Sequence, residues 1–403
     1  MSFQKLFFLE GGHLFGGLFL NSISHPVFRL LLLSSLSTLV LTSGARAKVT
    51  LERSWVRSTL SSRHVGFRHN HKMAPVLTDR LVIQGNGTDS IGAYSRRTGR
   101  LKWQRAFTDG VEGGAAIDGE TLFFGAGDGF FYALEVATGK TLWKQPISSE
   151  ALASPTVQGG YVFFLAGNNS LFSFDKNTGR PVWVKTRPLK ATMTLRGVTQ
   201  PTYSNGAIFV GYSDGWFAAF EASSGRQLWN QRIGDGRKFN DVDASARVAG
   251  SCLLTSSFAN ALYCLNPKDG RTVWKHDHGA FQPVTVFENK VYLPTREGEI
   301  HILDLASGKL LKKILVGATG LSSEIIFSKG FMIYGESKGD LVLRDAQSLE
   351  VLDRFRPGRG IFARPTIDEA SQEIYIVSNQ GNLFEVKLLE KGEDFPWRSK
   401  THF

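Results

Sequence analysis

Cysteine is nearly missing from this sequence: Cys252 and Cys264 are the only two in 403 residues. So sparse a supply excludes a small scaffold stapled by many disulfides and a zinc module built on four thiolates. Methionine is also scarce, at four residues. The apolar stretch from Leu30 to Leu41 is short of the roughly 18 residues a membrane-spanning helix needs, and Ser34, Ser35, Ser37 and Thr38 interrupt it. Acidic residues fall short of basic ones, 36 against 47, which leaves a net charge of +11. That excess suits an acidic partner or an anionic membrane face. No dense Lys/Arg run is interleaved with stacking aromatics, so nucleic acid is not an expected partner. A Gly-rich phosphate loop, a nucleophile elbow and a metalloprotease helix are all missing as well, which removes the commoner nucleotide-dependent and hydrolytic classes.

What the chain does have is 30 Phe, 8 Trp, 9 Tyr and 43 Gly. This composition favours many short strands joined by tight turns, an all-β protein. At the N-terminus, Arg29, the apolar stretch after it and Ala45-Arg46-Ala47 follow the order of a secretory signal. Residues 1–47 are therefore expected to be a signal peptide; residues 1–26 are long for what precedes its apolar part, so Val27 is an alternative start. The competing reading is an uncleaved anchor. A product starting at Lys48 keeps +9, because Lys5, Arg29 and Arg46 leave together with Glu10. Neither cysteine lies near this segment, so attachment through a lipid-modified N-terminal Cys is not expected.

One unit recurs from residue 91 onward: an apolar strand, an acidic or turn-forming residue, a Gly four later and a Trp four after that. The copies place Gly99 before Trp103, Gly139 before Trp143, Gly179 before Trp183, Gly225 before Trp229 and Gly270 before Trp274. The turn-forming residues include Glu135, Asp175, Glu221 and Asn266, whose side chains can accept backbone hydrogen bonds. A Gly at that spacing supplies the positive φ of a bulged hairpin, and the Trp is large enough to fill the gap between neighbouring sheets. Two copies are worn: Gly308 leads to Lys312 where Trp is expected, while Leu349 stands for Gly and Asp353 for Trp. A second turn lies upstream of each unit, as in Asp214-Gly215 and Glu297-Gly298, so each repeat holds four short antiparallel strands.

The spacing from Gly99 to Leu349 gives about 42 residues per repeat, and Ser54 to Leu388 then holds about eight. This predicts an eight-bladed β-propeller of four-stranded antiparallel blades over residues 48–390, with 391–403 as a tail. The last repeat lacks its own outermost strand. Ser54-Trp55-Val56 resembles Lys102-Trp103-Gln104, so the N-terminal strand is expected to complete the last blade and close the ring.

Departures from a repeat are where function is usually inserted. The connection from an outermost strand to the next innermost one takes 12 residues from Trp103 to Ala115, but 18 from Trp183 to Pro201 and 16 from Trp229 to Ser245. These adjacent connections belong on one face of the disc. The first contains Met193-Thr194-Leu195-Arg196-Gly197 and the second Asn240-Asp241-Val242-Asp243. Apolar side chains, a guanidinium and two carboxylates make a surface suited to a protein partner, with Arg196 as anchor. The plainer reading is that Arg196 pairs with Asp241 or Asp243 and merely braces the loops.

With the blade repeat, Leu195-Arg196-Gly197 and Asp241-Val242-Asp243 in adjacent blades, residues 50–388 resemble the BamB family, propeller subunits of the complex that inserts β-barrel proteins into bacterial outer membranes. The resemblance implies a non-catalytic, cofactor-free scaffold in the periplasm at the inner face of the outer membrane, expected as a monomer. It would bind the POTRA domains of BamA through Met193, Leu195, Arg196 and Gly197, with Asp241 and Asp243 beside them. That family is commonly lipid-anchored through an N-terminal Cys, which is a departure here.

Cys252 and Cys264 flank the turn Phe258-Ala259-Asn260 and are expected to face each other across a hairpin, either as a disulfide or as two buried thiols. Propellers with this repeat also host pyrroloquinoline quinone dehydrogenases, which use Ca²⁺, an Asp base and adjacent cysteines; the two cysteines here are not adjacent. A metal reading starts from His64, His69 and His71 or from His276 and His278, but nothing in the sequence completes either set. Sugar or cell-wall binding would rest on Trp216 or Trp397, of which Trp216 sits in a strand expected to be core.

Overall fold

A computed structural model describes residues 48–61, 71–188, 199–234, 241–317 and 320–391. Their strands form eight four-stranded sheets, each an antiparallel meander. In seven sheets the four strands are consecutive: residues 76–106, 115–146, 156–186, 202–232, 244–276, 285–315 and 326–355, blades one to seven. The eighth combines Thr366–Asp368, Glu373–Val377 and Asn382–Lys391 with the N-terminal strand Lys48–Ser58. There Trp55 lies opposite Glu385 and Ser58 opposite Asn382, so the predicted closure of the ring is present. Zipping the two ends together removes the free edge an open array would expose.

Burial explains the sequence of each strand. The second strands, such as Tyr161–Leu165, are apolar without alternation because neighbouring blades cover both of their faces. The outermost strands, such as Pro181–Thr186, alternate because one face meets solvent. The core is correspondingly divided: among the described residues there are eight hydrophobic clusters, one per seam between blades.

The repeated turn builds those seams. In every blade the outermost strand carries a one-residue bulge just before the Trp position, for example at Leu142 between Thr141 and Trp143. Gly99, Gly139, Gly179, Gly225, Gly270 and Gly308 all have φ between +64° and +74°. A Cβ at any of them would come within 2.5–2.7 Å of the Trp ring of the preceding blade. Each of those Trp residues, from Trp55 to Trp274, also donates its indole N–H to a carbonyl of the next blade at 2.8–3.1 Å. The Gly is thus needed twice, for its backbone conformation and for the room it leaves the indole. Where Lys312 replaces Trp, that room is not needed, and Leu349 occupies the position at φ +66°.

Cys252 and Cys264 lie on the second and third strands of blade five with their sulfurs joined and their Cα atoms 5.3 Å apart. The link runs diagonally, since Cys264 stands opposite Leu254. The hairpin is centred one residue later than the cysteine spacing implies.

Candidate partner-binding face and axial cavity

Antiparallel meanders send every connection between blades out of the face that also carries the turns between second and third strands. Hydrogen bonds tie the two together: the N–H groups of Ile147, Ile233 and Val316 donate to the carbonyls of Gly129, Gly215 and Gly298 at 2.9–3.0 Å. Met193, Leu195, Arg196 and Gly197 lie outside the described residues, as do His64, His69 and Trp397. The roots of both lengthened connections are described. At the first, the Arg187 Nε donates to Asp214 at 2.6 Å, and its guanidinium lies 5.0 Å from the centre of the Trp216 ring. Trp216 is half-buried beneath this cation, which is not the open aromatic platform a sugar would need.

At the second root, Val242 is buried and packs where Gly211 leaves room for it, and its N–H donates to the Tyr212 carbonyl at 3.3 Å. This inserts the flanking carboxylates as well: Asp241 and Asp243 are 0% and 8% exposed. The sequence pattern placed both on a surface for a partner, whereas the structure buries them. Burial pushes the Asp243 carboxyl well above the usual carboxylate range; the charge of Asp241 adds to the rise and Lys72 opposes it.

Asp243 forms part of the wall of a cavity of about 550 Å³ on the ring axis, where the entries to all eight blades converge. Its other charged groups are Lys72, Arg247, Glu324 and Arg364. Lys72 pairs with Glu112 at 3.1 Å, and Glu324 is held by Arg247 at 2.5 Å and Arg364 at 3.3 Å. A quinone cofactor with Ca²⁺ would need about six to eight oxygen ligands for the ion. The wall offers two carboxylates, one engaged by two arginines, and the cysteines sit within the core between blades five and six. This donor set does not fit the group.

A different set does assemble where the sequence showed only a fragment. His276 ends the outermost strand of blade five, His278 follows it, and His301 comes from the third strand of blade six. Their ligand-capable atoms lie within 4.8 Å of one another. Burial, then the neighbouring His301 and His278 rings, push the His276 imidazole down to about 4. His301 could not be found from spacing, because it is far along the chain and reaches the pair only across a seam. His71, singled out with His64 and His69, is buried elsewhere, its Nδ1 accepting the Gly87 N–H at 3.3 Å.

Ring, repeat and axial cavity define a propeller of the quinoprotein-like repeat class, with cavity groups that do not supply that class's cofactor chemistry. The family described as outer membrane protein assembly factor BamB has a sequence model that matches residues 87–314. With more than half its length matched, the chain belongs to that family. Among relatives, the BamB of Shewanella oneidensis is 26% identical over 205 residues, 49% of this chain and 51% of that one. The BamB of Escherichia coli is 25% identical over 156 residues, 37% of this chain and 40% of that one. The chain thus matches about half the length of these relatives or less. The crystal structure of BamB from Moraxella catarrhalis superposes with a TM-score of 0.71 at 19% identity, covering 84% of this chain and 99% of that one. The quinohemoprotein alcohol dehydrogenase of Comamonas testosteroni gives 0.69 at 15% identity, covering 87% of this chain and 78% of that one. At such identities these likenesses speak for the fold alone.

Proposed function

We propose that this protein is a non-catalytic scaffold of outer-membrane β-barrel assembly, working as a monomer in the periplasm at the inner face of the outer membrane. Its partner in this reading is BamA, whose POTRA domains dock on the face carrying the two lengthened connections. Residues 1–47 serve as the export signal, and the mature protein is held at the membrane by its partner. The observation that carries the reading is that both insertions fall in adjacent connections of one face in a chain of the BamB family. Met193, Leu195, Arg196 and Gly197 supply the contact. Asp241 and Asp243 take a supporting part: buried on either side of Val242, they fix the root of the neighbouring connection beside that contact. The dehydrogenase reading has less behind it, since the axial cavity lacks a matching donor set.

Arg196→Glu combined with Leu195→Asp tests the site, and it leaves the buried Asp241 untouched. The variant is expected to melt as the parent does and to lose co-purification with BamA from the native envelope. Undiminished co-purification would overturn the site.

A further inference from the structure

We propose that His276, His278 and His301 form a binding site for one divalent transition-metal ion, Zn²⁺ foremost, which ties blade five to blade six. Three imidazoles are a donor set for Zn²⁺, Cu²⁺ or Ni²⁺, whereas Mg²⁺ and Ca²⁺ take oxygen ligands. Among the described residues, this is the one group of three or more His, Cys, Asp or Glu side chains placed to share an ion.

The surroundings are those of a ligand site. His301 is fully buried, and its Nε2 lies 2.7 Å from a Glu299 carboxylate oxygen that is also 3.4 Å from Lys313 Nζ. A carboxylate there fixes the ring proton on Nε2 and leaves the Nδ1 lone pair as the ligand atom, the support that metal-bound histidines commonly have. That Nδ1 faces His276 Nε2 at 2.9 Å. Ligand nitrogens around tetrahedral Zn²⁺, each about 2.0–2.1 Å from the ion, stand about 3.3–3.4 Å apart. His276 and His301 therefore need to part only slightly.

The third ligand is His278, whose ring centre is 4.5 Å from that of His301. Its Nδ1 is buried, with the Glu297 carboxylate 3.5 Å away, beyond ordinary hydrogen-bond range. A small rotation of this half-buried ring closes the set, and water or Glu297 completes four-coordination. His276 occupies the position two after Trp274, where the other blades with a seam Trp carry Arg57, Arg105, Gln145, Lys185 and Gln231. Two of these, Arg57 and Arg105, donate to carbonyls of the next blade. The metal would replace that cross-seam bond at blade five.

The test uses the untagged full chain, stripped with chelator and dialysed against Zn²⁺, with bound metal measured by elemental analysis. One equivalent bound and a higher Tm with Zn²⁺ are expected, along with the intense visible absorption of tetrahedral Co²⁺ when Co²⁺ is substituted. His278→Ala and His276→Gln alter half-buried residues and should keep the parent circular dichroism. Both should weaken Zn²⁺ binding at least tenfold and abolish the Tm shift. A parent protein that binds no more Zn²⁺ than His278→Ala, or a His278→Ala that binds as tightly as the parent, overturns the proposal.

Discussion

Six seams of the ring and the remaining two are made of the same strands but held by different groups. From the seam between blades eight and one to that between blades five and six, an indole lies over a glycine and bonds to the next blade's carbonyl. Between blades six and seven the pair is Lys312 and Leu349. Here the tie comes from the other side: Arg344 is buried, and its guanidinium donates to the Leu349 carbonyl at 2.7 Å and to the Tyr334 hydroxyl at 3.0 Å. It also reaches the Leu315 carbonyl of blade six at 3.4 Å. Between blades seven and eight the described residues form no such turn, because the fourth strand of blade eight is the N-terminal strand Lys48–Ser58, and the Asp353 carboxylate accepts the Leu51 N–H at 2.7 Å. Loss of the Trp and loss of the Gly go together across one seam, so the repeat is a property of pairs of blades and not of single ones.

The largest expected contrast separates the two kinds of seam. Trp183→Ala removes a buried indole that donates to the Ala222 carbonyl at 2.9 Å and should cost about 3–5 kcal/mol in urea unfolding. Lys312→Ala, at the matching but exposed position, should stay within about 0.5 kcal/mol of the parent. Equal costs would mean that the indole seams and the worn seam are held alike.

The closure seam adds an ionic tie, which gives the second prediction. Arg96 of blade one bonds to Asp368, and to Glu373 at 3.1 Å, both in blade eight. Arg96→Ala should cost about 1.5–3 kcal/mol at neutral pH, the range for hydrogen bonds to charged groups. The Arg96 guanidinium holds the Asp368 carboxyl below its usual 3.8. A depressed carboxyl stabilises the fold above its unfolded pKa, and that contribution is lost as pH falls through the lower folded value. The parent should therefore lose stability more steeply than Arg96→Ala below about pH 4, as read from urea midpoints across a pH series.

The smallest expected effect concerns the indole–glycine latch itself. Lys312→Trp alone sets an indole against the Leu349 side chain. Leu349→Gly alone relieves the positive φ but leaves its packing space empty. The double variant restores the latch and should exceed the sum of the single changes by about 1 kcal/mol in a double-mutant cycle. Additivity would mean that indole and glycine do not act as a unit.

Much of this architecture was legible along the chain because the seams repeat: Gly139 and Trp143, and their counterparts, recur at a spacing only a blade explains. The closure was legible too, since Trp55 copies Trp103. Burial of Asp241 and Asp243 was not, because it depends on Val242 inserting against Gly211 of the preceding blade, a contact that leaves no periodic mark. Nor was His301, whose partners lie across a seam.

The number of blades, the position of the repeated turns and the pairing of the first and last strands follow from the order of residues, through local conformational preference and a repeat of fixed length. Tertiary structure alone decided which way the Asp241 and Asp243 carboxylates face, what holds the two worn seams and which imidazoles come together. Such outcomes depend on packing between strands remote in sequence, where burial and distance, not spacing, set the chemistry.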